Sequence, residues 1–200
     1  MDTVNWQFAR FQRVLDQVRQ GGLAYRHAMI ASSQTLVLTN EMNLTAVDPG
    51  HLVFGLMPRA EVTYGADMPM ALLAVKSRII QVSEVRRSER LSDAPFSVRP
   101  GMRIGVIPFG HADGLGRIHC GHVLVKGARA PLVASPSAEH ARIDLTEIPS
   151  ARVGDEVVIF GTQGDSKIDL AAVQAVHKSL RASDITRSIT PRIPRVYVNR

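Results

Sequence analysis

The segment His119-Cys120-Gly121-His122 places one thiol and two imidazoles within four residues. Cysteine and histidine are good zinc ligands. In a strand, however, neighbouring side chains point to opposite faces, and no second cluster follows at the spacing that a zinc site requires. We therefore expect no metal site in this chain.

Two other motif classes give no support for a specific chemistry. Gly110, Gly114 and Gly116 do not form a phosphate-cradling fingerprint, because no helix pattern opens after them. The sequence has no Gly-x-Ser-x-Gly motif, which serine hydrolases of the α/β class carry at the nucleophile. Catalysis of either kind is therefore not expected.

Composition narrows the class of protein further. Hydrophobic residues make up 45% of the 200 residues and charged residues 21%, as in ordinary globular domains. The net charge of +6 comes from scattered arginines without interleaved aromatics, so we expect a solvated basic face or an acidic partner and no nucleic acid. No apolar run reaches the ~20 residues of a membrane span, so no membrane association is expected. One cysteine and no secretory signal pattern predict a cytoplasmic protein.

The first 57 residues have mixed helix and strand patterns. Apolar residues recur at helical spacing over residues 5–20, and Gly21-Gly22 has the composition of a C-terminal cap. Short strand-like runs follow at residues 23–30 and 52–54, the second after the turn signal Pro49-Gly50. Residues 58–70 contain two prolines and a glycine and are predicted to be a linker.

The rest of the chain is dominated by short β-like runs separated by glycine and proline. This pattern predicts an antiparallel sheet or a small barrel. One late helix is predicted over residues 168–180, with Asp165 or Ser166 as its N-cap. The predicted strand segments are residues 71–85, 102–109, 122–126, 129–134, 141–145 and 152–160.

Six segments in the same order along the chain resemble one known family. They are His27–Leu36, Val47–Gly55, Gly110-His111-Ala112-Asp113-Gly114, Val123–Pro131, Val153–Gly161 and Arg192–Tyr197. Each segment is short, but the six segments taken together, in this order, resemble the alanine racemases over nearly the whole chain. The resemblance implies a mainly β fold with some α, in which an antiparallel, β-rich C-terminal domain follows a partial α/β barrel segment. Residues 1–57 would be the last helix and two strands of a TIM-type barrel, 58–70 the linker, and 71–200 the C-terminal β-domain.

The resemblance also implies pyridoxal phosphate as cofactor, bound to a lysine near the start of the barrel. None of the four lysines, Lys76, Lys126, Lys167 and Lys178, lies at that position, and we expect the lysine-bearing part to precede residue 1. The chain is therefore expected to be inactive alone and to work as a subunit or partner of a pyridoxal-phosphate-dependent amino-acid racemase. It would form a homo-oligomer, or a heteromer with a chain that carries the missing barrel. The alternative is a non-catalytic homologue with a binding or structural role.

His111 stands where the family has the tyrosine that serves as acid and base for the neighbouring subunit. Because its unperturbed pKa is ~6.5, a histidine can still transfer protons near neutrality. The alternative is that His111 is a drifted residue in a turn whose shape is kept. Asp113-Gly114 is preserved, and the resemblance gives it the role of shaping that turn.

The other family positions are largely substituted. Asp48 replaces the arginine that faces the pyridine nitrogen and would protonate that nitrogen, unless it is only a turn residue before Pro49-Gly50. Ser32 or Ser33 keeps a hydroxyl suited to the cofactor phosphate. The remaining correspondences are Ala138-Glu139 for the Met-Asp near the substrate carboxylate, Ser92-Asp93 for a Tyr-Gly pair, and Ser183 for the tyrosine that contacts the phosphate.

Overall fold

Helix α1 (Asp2–Gln20) opens the chain in the computed structural model, which describes residues 2–53, 72, 74–87, 89–90 and 97–198. The prediction of a helix over residues 5–20 is confirmed, with a start three residues earlier. The helix ends as expected: Gly22 has φ +69°, and the Leu23 N–H donates to the Val18 carbonyl at 3.1 Å. This is the left-handed cap that glycine accommodates without a Cβ penalty.

A parallel pair of strands follows α1. Strand β1 (Met29–Ser32) leads into helix α2 (Ser33–Leu38), and strand β2 (Ala46–Asp48) leads into helix α3 (Gly50–Val53). The pairing aligns Met29 with Ala46 and Ser32 with Asp48. Each strand therefore runs directly into a helix at its carboxyl end, as in α/β units.

Two strand predictions in this region are wrong in part. Leu52 and Val53 lie in α3, whose Val53 N–H donates to the Pro49 carbonyl at 3.1 Å, while Phe54 lies outside the described residues. Only the end of the run at residues 23–30 is a strand. The physical reason is that a short apolar run is compatible with either a strand or a turn of helix, and periodicity cannot separate them.

Among the residues that the structure describes beyond 72, ten strands are formed. They are β3 (Val75–Arg78), β4 (Gln81–Glu84), β5 (Glu89–Arg90), β6 (Ser97–Val98), β7 (Arg103–Ile107), β8 (His122–Val125), β9 (Ala128–Val133), β10 (Ala141–Asp144), β11 (Glu156–Gln163) and β12 (Ser166–Ile168). All their pairings are antiparallel, as the turn spacing predicts. The predicted linker at 58–70 and the Ser92-Asp93 pair lie outside the described residues.

The large sheet closes on itself through the bent segment of residues 75–84. Its hydrogen-bonded order runs β11-β8-β9-β10-β7-β4, and β3 pairs with β11. At the bend, the Ile79 N–H donates to the Asp155 carbonyl and the Ile80 N–H to the Val106 carbonyl. Consecutive residues thus bond to opposite ends of the sheet, and the result is the small barrel that the sequence predicts as one of two options.

Short helices lie on the β-rich unit. They are a 3₁₀ turn (His111–Asp113), α4 (Leu115–Ile118), α5 (Leu170–Val176) and α6 (Ala182–Ser188). Helix α5 is shorter than the predicted 168–180, and its N-cap is Asp169, which accepts the Ala172 N–H at 3.0 Å. The expectation that Asp165 or Ser166 caps it is wrong, because β12 extends to Ile168. The expectation that no helix follows Gly114 is also wrong.

The core of the β-rich unit sits between the barrel and these helices. Val157, Val158, Ile159 and Phe160 are four consecutive buried residues of β11, so both faces of that strand are covered. Val173 of α5 and Ile185 of α6 belong to the same apolar cluster. The chain as a whole divides into two compact units, Met1–Ala71 and Leu72–Arg200. None of the helices in the described part of the chain has the length and apolarity of a membrane span.

Candidate functional site

The turn that follows β7, residues 110–114, is organised around one buried carboxylate. Asp113 is 0% exposed, and its Oδ2 accepts the Gly110 N–H at 2.9 Å. Gly110 must be glycine, because a Cβ there would collide with the carbonyl oxygens of Ser137 and Ala138. The turn is therefore fixed from inside by Asp113 and from outside by the backbone of residues 137–138.

An arginine from the end of the chain neutralises Asp113. Arg192 donates to Asp113 Oδ1 from Nε at 3.0 Å and from a terminal guanidinium nitrogen at 2.8 Å. The other terminal nitrogen donates to Glu139 Oε1 at 3.0 Å. The hydrogen bond to Asp113, and to a smaller extent the one to Glu139, raises the pKa of Arg192 above its ordinary value. We call Asp113, Arg192 and Glu139 the turn network.

Three of the predicted site residues meet at this turn. The His111 N–H donates to the Ser137 carbonyl and the Ala112 N–H to the Ala138 carbonyl, both at 2.9 Å. His111 therefore lies beside Ala138 and Glu139. Its own side chain is exposed and makes no hydrogen bond with any residue that the structure describes. The backbone position of His111 is thus fixed, but no protein group orients its imidazole.

A surface depression of about 310 Å³ opens beside His111. Charged residues from two helices line it: Arg117 of α4, and Asp184 and Arg187 of α6. Ser183 lies next to Asp184 in α6, where its carbonyl accepts the Thr186 hydroxyl at 3.0 Å. Ser183 is thus near the depression without lining it. We call this depression the basic pocket.

Ser32, Ser33 and Asp48 form a separate group in the N-terminal unit. Ser32 pairs with Asp48 at the carboxyl ends of β1 and β2, where α2 and α3 begin. The buried Ser33 hydroxyl accepts the Leu52 N–H at 3.4 Å, while Asp48 is exposed. Backbone N–H groups at helix starts beside strand ends are suited to a phosphate.

Comparison with known proteins matches both units. Residues 72–197 match the family model described as "Alanine racemase, C-terminal domain". The alanine racemase of Desulfosudis oleivorans is 34% identical over 98% of this chain and 50% of its own length, and that of Halothermothrix orenii is 31% identical over 97% and 52%. The crystal structure of alanine racemase from Bacillus anthracis with bound L-Ala-P superimposes with a TM-score of 0.83 at 23% identity, over 96% of this chain and 50% of that one.

The chain belongs to the alanine racemase family. It spans about half the length of the curated relatives it matches. The family's C-terminal domain accounts for the antiparallel β-rich fold. What sequence reasoning missed in this racemase domain is the partnership of Asp113 with Arg192, although both residues lie in phrases that resemble the family. The sequence did contain a signal. An aspartate that is kept among apolar residues is expected to be buried, and a buried carboxylate requires a cation or several hydrogen-bond donors.

The four lysines of this racemase-family chain lie in the β-rich unit. Three form surface salt bridges: Lys76 with Glu156, Lys126 with Asp155, and Lys167 with Asp169. The fourth, Lys178, lines a separate depression after α5. The N-terminal unit, which contains Ser32 and Ser33, has no lysine of its own to bond to the aldehyde of pyridoxal phosphate.

The cysteine and histidines around α4 and β8 are packed together. Cys120 Sγ lies 3.5 Å from His122 Nδ1, and the rings of His119 and His177 meet edge to face with centroids 4.9 Å apart. Burial raises the pKa of the Cys120 thiol, which disfavours the thiolate that a metal would need. Within the described ranges no three His, Cys, Asp or Glu side chains are arranged to hold a metal ion.

The His119 contacts predict a pH-dependent stability. Burial, and then the neighbouring His177, lower the pKa of His119, and the Gly121 N–H donates to its Nδ1 at 3.2 Å, which requires that nitrogen to be unprotonated. As the pH falls, the unfolded chain takes up this proton first, so the stabilisation present above about pH 6.5 is lost below it. We expect the β-rich unit to unfold at a lower urea concentration at about pH 5 than at about pH 7.5.

The variant His119→Asn tests the origin of this dependence. Asparagine offers the Gly121 N–H an acceptor but does not titrate, so the difference between the two pH values should shrink. His140→Asn is the matched control, because His140 is exposed. An unchanged pH dependence in His119→Asn would show that other groups cause it.

Proposed function

We propose that this chain acts as the C-terminal half of a pyridoxal-phosphate-dependent amino-acid racemase, in a complex with a lysine-bearing barrel segment that lies outside these 200 residues. The observation that supports the proposal most is the turn network, which holds the backbone of His111 at the family's catalytic turn. Because Asp113 is buried, loss of its partner Arg192 would be costly, and the network therefore holds this turn firmly. The complex would act in the cytoplasm.

In this proposal His111 exchanges a proton with the substrate carbon on the face opposite the lysine. A bound cofactor would supply the electron sink that the reaction needs. His111 is exposed and its backbone is held by the Ser137 carbonyl, so its imidazole can reach a substrate without moving the turn.

The surface of the N-terminal unit supports a need for a partner. Trp6 and Val14 of α1 are 55% and 51% exposed, and Leu15 is the buried residue of that helix. Strands β1 and β2 form a sheet of two strands within the described residues, which leaves two edges unpaired. Exposed apolar faces and open edges promote association unless another surface covers them. A barrel segment from another chain, or a second copy, would cover both.

One observation favours a second candidate, a non-catalytic family member with a binding or structural role. An acid–base residue is usually oriented by a hydrogen bond from a neighbouring group. The imidazole of His111 has no such partner among the residues that the structure describes. In this second candidate the turn network serves the stability of the fold alone.

Co-expression with a lysine-bearing alanine racemase barrel tests the first proposal. We expect the two chains to co-purify as a yellow complex that interconverts D- and L-alanine. His111→Ala should lower kcat by about 100-fold, because a general base contributes on the order of that factor, and His111→Tyr should retain activity. Amino-acid enantiomers separated by chiral chromatography give the rate directly.

His140→Ala is the control for this experiment. His140 is an exposed histidine three residues after Ser137, and it should tolerate alanine without loss of rate. A colourless complex, a failure to co-purify, or full activity of His111→Ala would each contradict the catalytic role. A stable colourless complex would favour the non-catalytic candidate.

A further inference from the structure

Residues 177–181 form the turn that connects α5 to α6, and a pair of histidines holds this turn to the end of α4. His177 ends α5, where its N–H donates to the Val173 carbonyl at 2.9 Å. Its imidazole Nε2 donates to the carbonyl of His119, the residue that ends α4, at 3.1 Å. The two rings also meet edge to face, with centroids 4.9 Å apart. We call the His119 and His177 side chains the histidine latch.

The rest of this turn is attached to the β-rich unit by few side chains. Residues 174–180 contain no buried side chain, although Leu180 is partly buried against the core. The Leu180 N–H donates to the His177 carbonyl at 2.9 Å, so the turn is closed on itself. The helices on either side are held more firmly, because Val173 of α5 and Ile185 of α6 are buried in the core. The turn can therefore open locally while both helices stay packed.

The closed form of the latch requires a neutral His119. The Gly121 N–H donates to His119 Nδ1 at 3.2 Å, so this nitrogen carries no proton. A proton added there would remove the hydrogen bond and place two N–H groups against each other. If His177 also took up a proton, two imidazolium rings would lie with centroids 4.9 Å apart, and like charges at this distance repel. Burial, and then the neighbouring His177, lower the pKa of His119, in agreement with this geometry.

Cations outnumber carboxylates around the latch. In the described part of the chain, the titratable and charged groups that surround it come from α4 and the loop after it, β8, β9, the start of α5 and the turn itself: Arg117, Cys120, His122, Arg129, Asp169 and Lys178. Arg117 and Lys178 line a depression of about 580 Å³ together with His177. Asp169 is the carboxylate of this set, and it already binds the Lys167 ammonium at 3.0 Å and a backbone N–H of α5 at 3.0 Å. A proton added to the closed latch is therefore opposed by its neighbours, and protonation favours the open turn.

We propose that the histidine latch is a pH-sensitive switch, which holds the turn at residues 177–181 against α4 when both imidazoles are neutral and releases it when they take up protons. Because the closed turn binds fewer protons than the open turn, its stability falls as the pH falls. Release begins below about pH 6.5, where an imidazole in an open, hydrated turn becomes protonated. The opening is local and leaves the barrel folded. The switch does not rest on the proposed function, because it involves neither His111 nor a cofactor.

Amide hydrogen exchange of the isotopically labelled full chain tests the switch, with each rate measured by NMR between pH 7.5 and pH 5 and divided by the intrinsic exchange rate at that pH. The Leu180 amide reports on the turn, because it donates to the His177 carbonyl. We expect its protection to fall by up to about tenfold per pH unit for each proton taken up on opening. At pH 5 it should exchange much faster than the amides of β11, which require the barrel to unfold. The ring nitrogen signals of His119 and His177 should change over the same pH range.

The double variant His119→Asn and His177→Gln should abolish this pH dependence. Asparagine keeps an acceptor for the Gly121 N–H, glutamine keeps a donor for the carbonyl of residue 119, and neither side chain titrates. His122→Asn and His140→Asn are the controls and should keep the dependence of the wild type. His122 lies close to the latch on β8 and has a pKa lowered by burial and then by Arg129, whereas His140 is exposed.

Four results would overturn the switch. The first is equal protection of the Leu180 amide at pH 7.5 and pH 5 in the wild type, a comparison that needs no variant. The second is a loss of protection at Leu180 that only equals the loss in β11, because the whole unit would then be unfolding. The others are a pH dependence that persists in the double variant, and one that His122→Asn removes.

Discussion

Replacing Asp113 by alanine is expected to lower the free energy of unfolding of the β-rich unit by about 3 kcal/mol. The carboxylate is fully buried and accepts the Gly110 N–H and two N–H groups of Arg192. Alanine leaves the buried Gly110 N–H without its acceptor, and a buried donor that loses its acceptor costs more than an average hydrogen bond contributes. The attachment of the chain end through Arg192 is lost in the same change.

Two further variants separate the parts of this effect. Asp113→Asn keeps an oxygen for the Gly110 N–H but removes the charge that holds Arg192, so its cost should be intermediate. Glu139→Ala removes an exposed partner of Arg192, and exposed pairs contribute at most about 1 kcal/mol. The expected order of stability is therefore wild type, Glu139→Ala, Asp113→Asn and Asp113→Ala, from most to least stable.

The measurement must report on the β-rich unit alone. The single tryptophan, Trp6, lies in the N-terminal unit, so its fluorescence reports first on that unit. Hydrogen exchange of the amides of β11, which is buried over residues 157–160, reads the stability of the barrel directly. Equal exchange in Asp113→Ala and wild type would show that the turn network does not stabilise the barrel.

The barrel strands could be predicted because their sequences carry local signals. The runs at residues 122–126 and 129–134 are separated by Gly127-Ala128, and the turn has positive φ at Lys126 (+52°) and Gly127 (+78°). The closure of the barrel could not be predicted in this way. It depends on Ile79 and Ile80 bonding to residues that lie 76 and 26 positions away in sequence, and such long-range pairing leaves no periodic trace.

Among the helices, those of seven residues or fewer were the hardest to predict. Helix α4 follows Gly114 for a single turn, too short for an apolar periodicity to emerge. The end of α5 and the whole of α6 are likewise too short to show an apolar periodicity. Here the capping residues carry the information: Asp169 accepts the Ala172 N–H, and Asp184 accepts the Arg181 N–H.

The site shows the same division between local and long-range signals. His111, Ala138 and Glu139 were assigned as site positions by family resemblance, and the structure brings them together through backbone hydrogen bonds. The resemblance assigned no role to Arg117 or Arg187. They become neighbours only because α4 and α6 pack together, so the basic pocket required the three-dimensional structure.

Replacing Gly114 by alanine should have the largest effect on stability, a loss of about 4 kcal/mol, in which a conformational and a steric cost add. The conformational cost arises because φ is +105°, and an L-residue with a side chain loses roughly 1–2 kcal/mol in the left-handed region. The larger part is steric, because the added Cβ would collide with the carbonyl oxygen and carbon of Ser188. Forcing an extra carbon into a closely packed site costs roughly 1–3 kcal/mol more.

Gly154→Ala isolates the steric part. Gly154 has φ +92°, and nothing lies within 4 Å of a Cβ built there, so only the conformational cost should appear. Hydrogen exchange of β11 should therefore place Gly154→Ala about 1–2 kcal/mol and Gly114→Ala about 4 kcal/mol below wild type. Equal losses of stability would mean that α6 shifts to accommodate the new methyl group without a measurable cost in free energy. In that case the contact between Gly114 and Ser188 would not fix the backbones of α4 and α6 relative to each other.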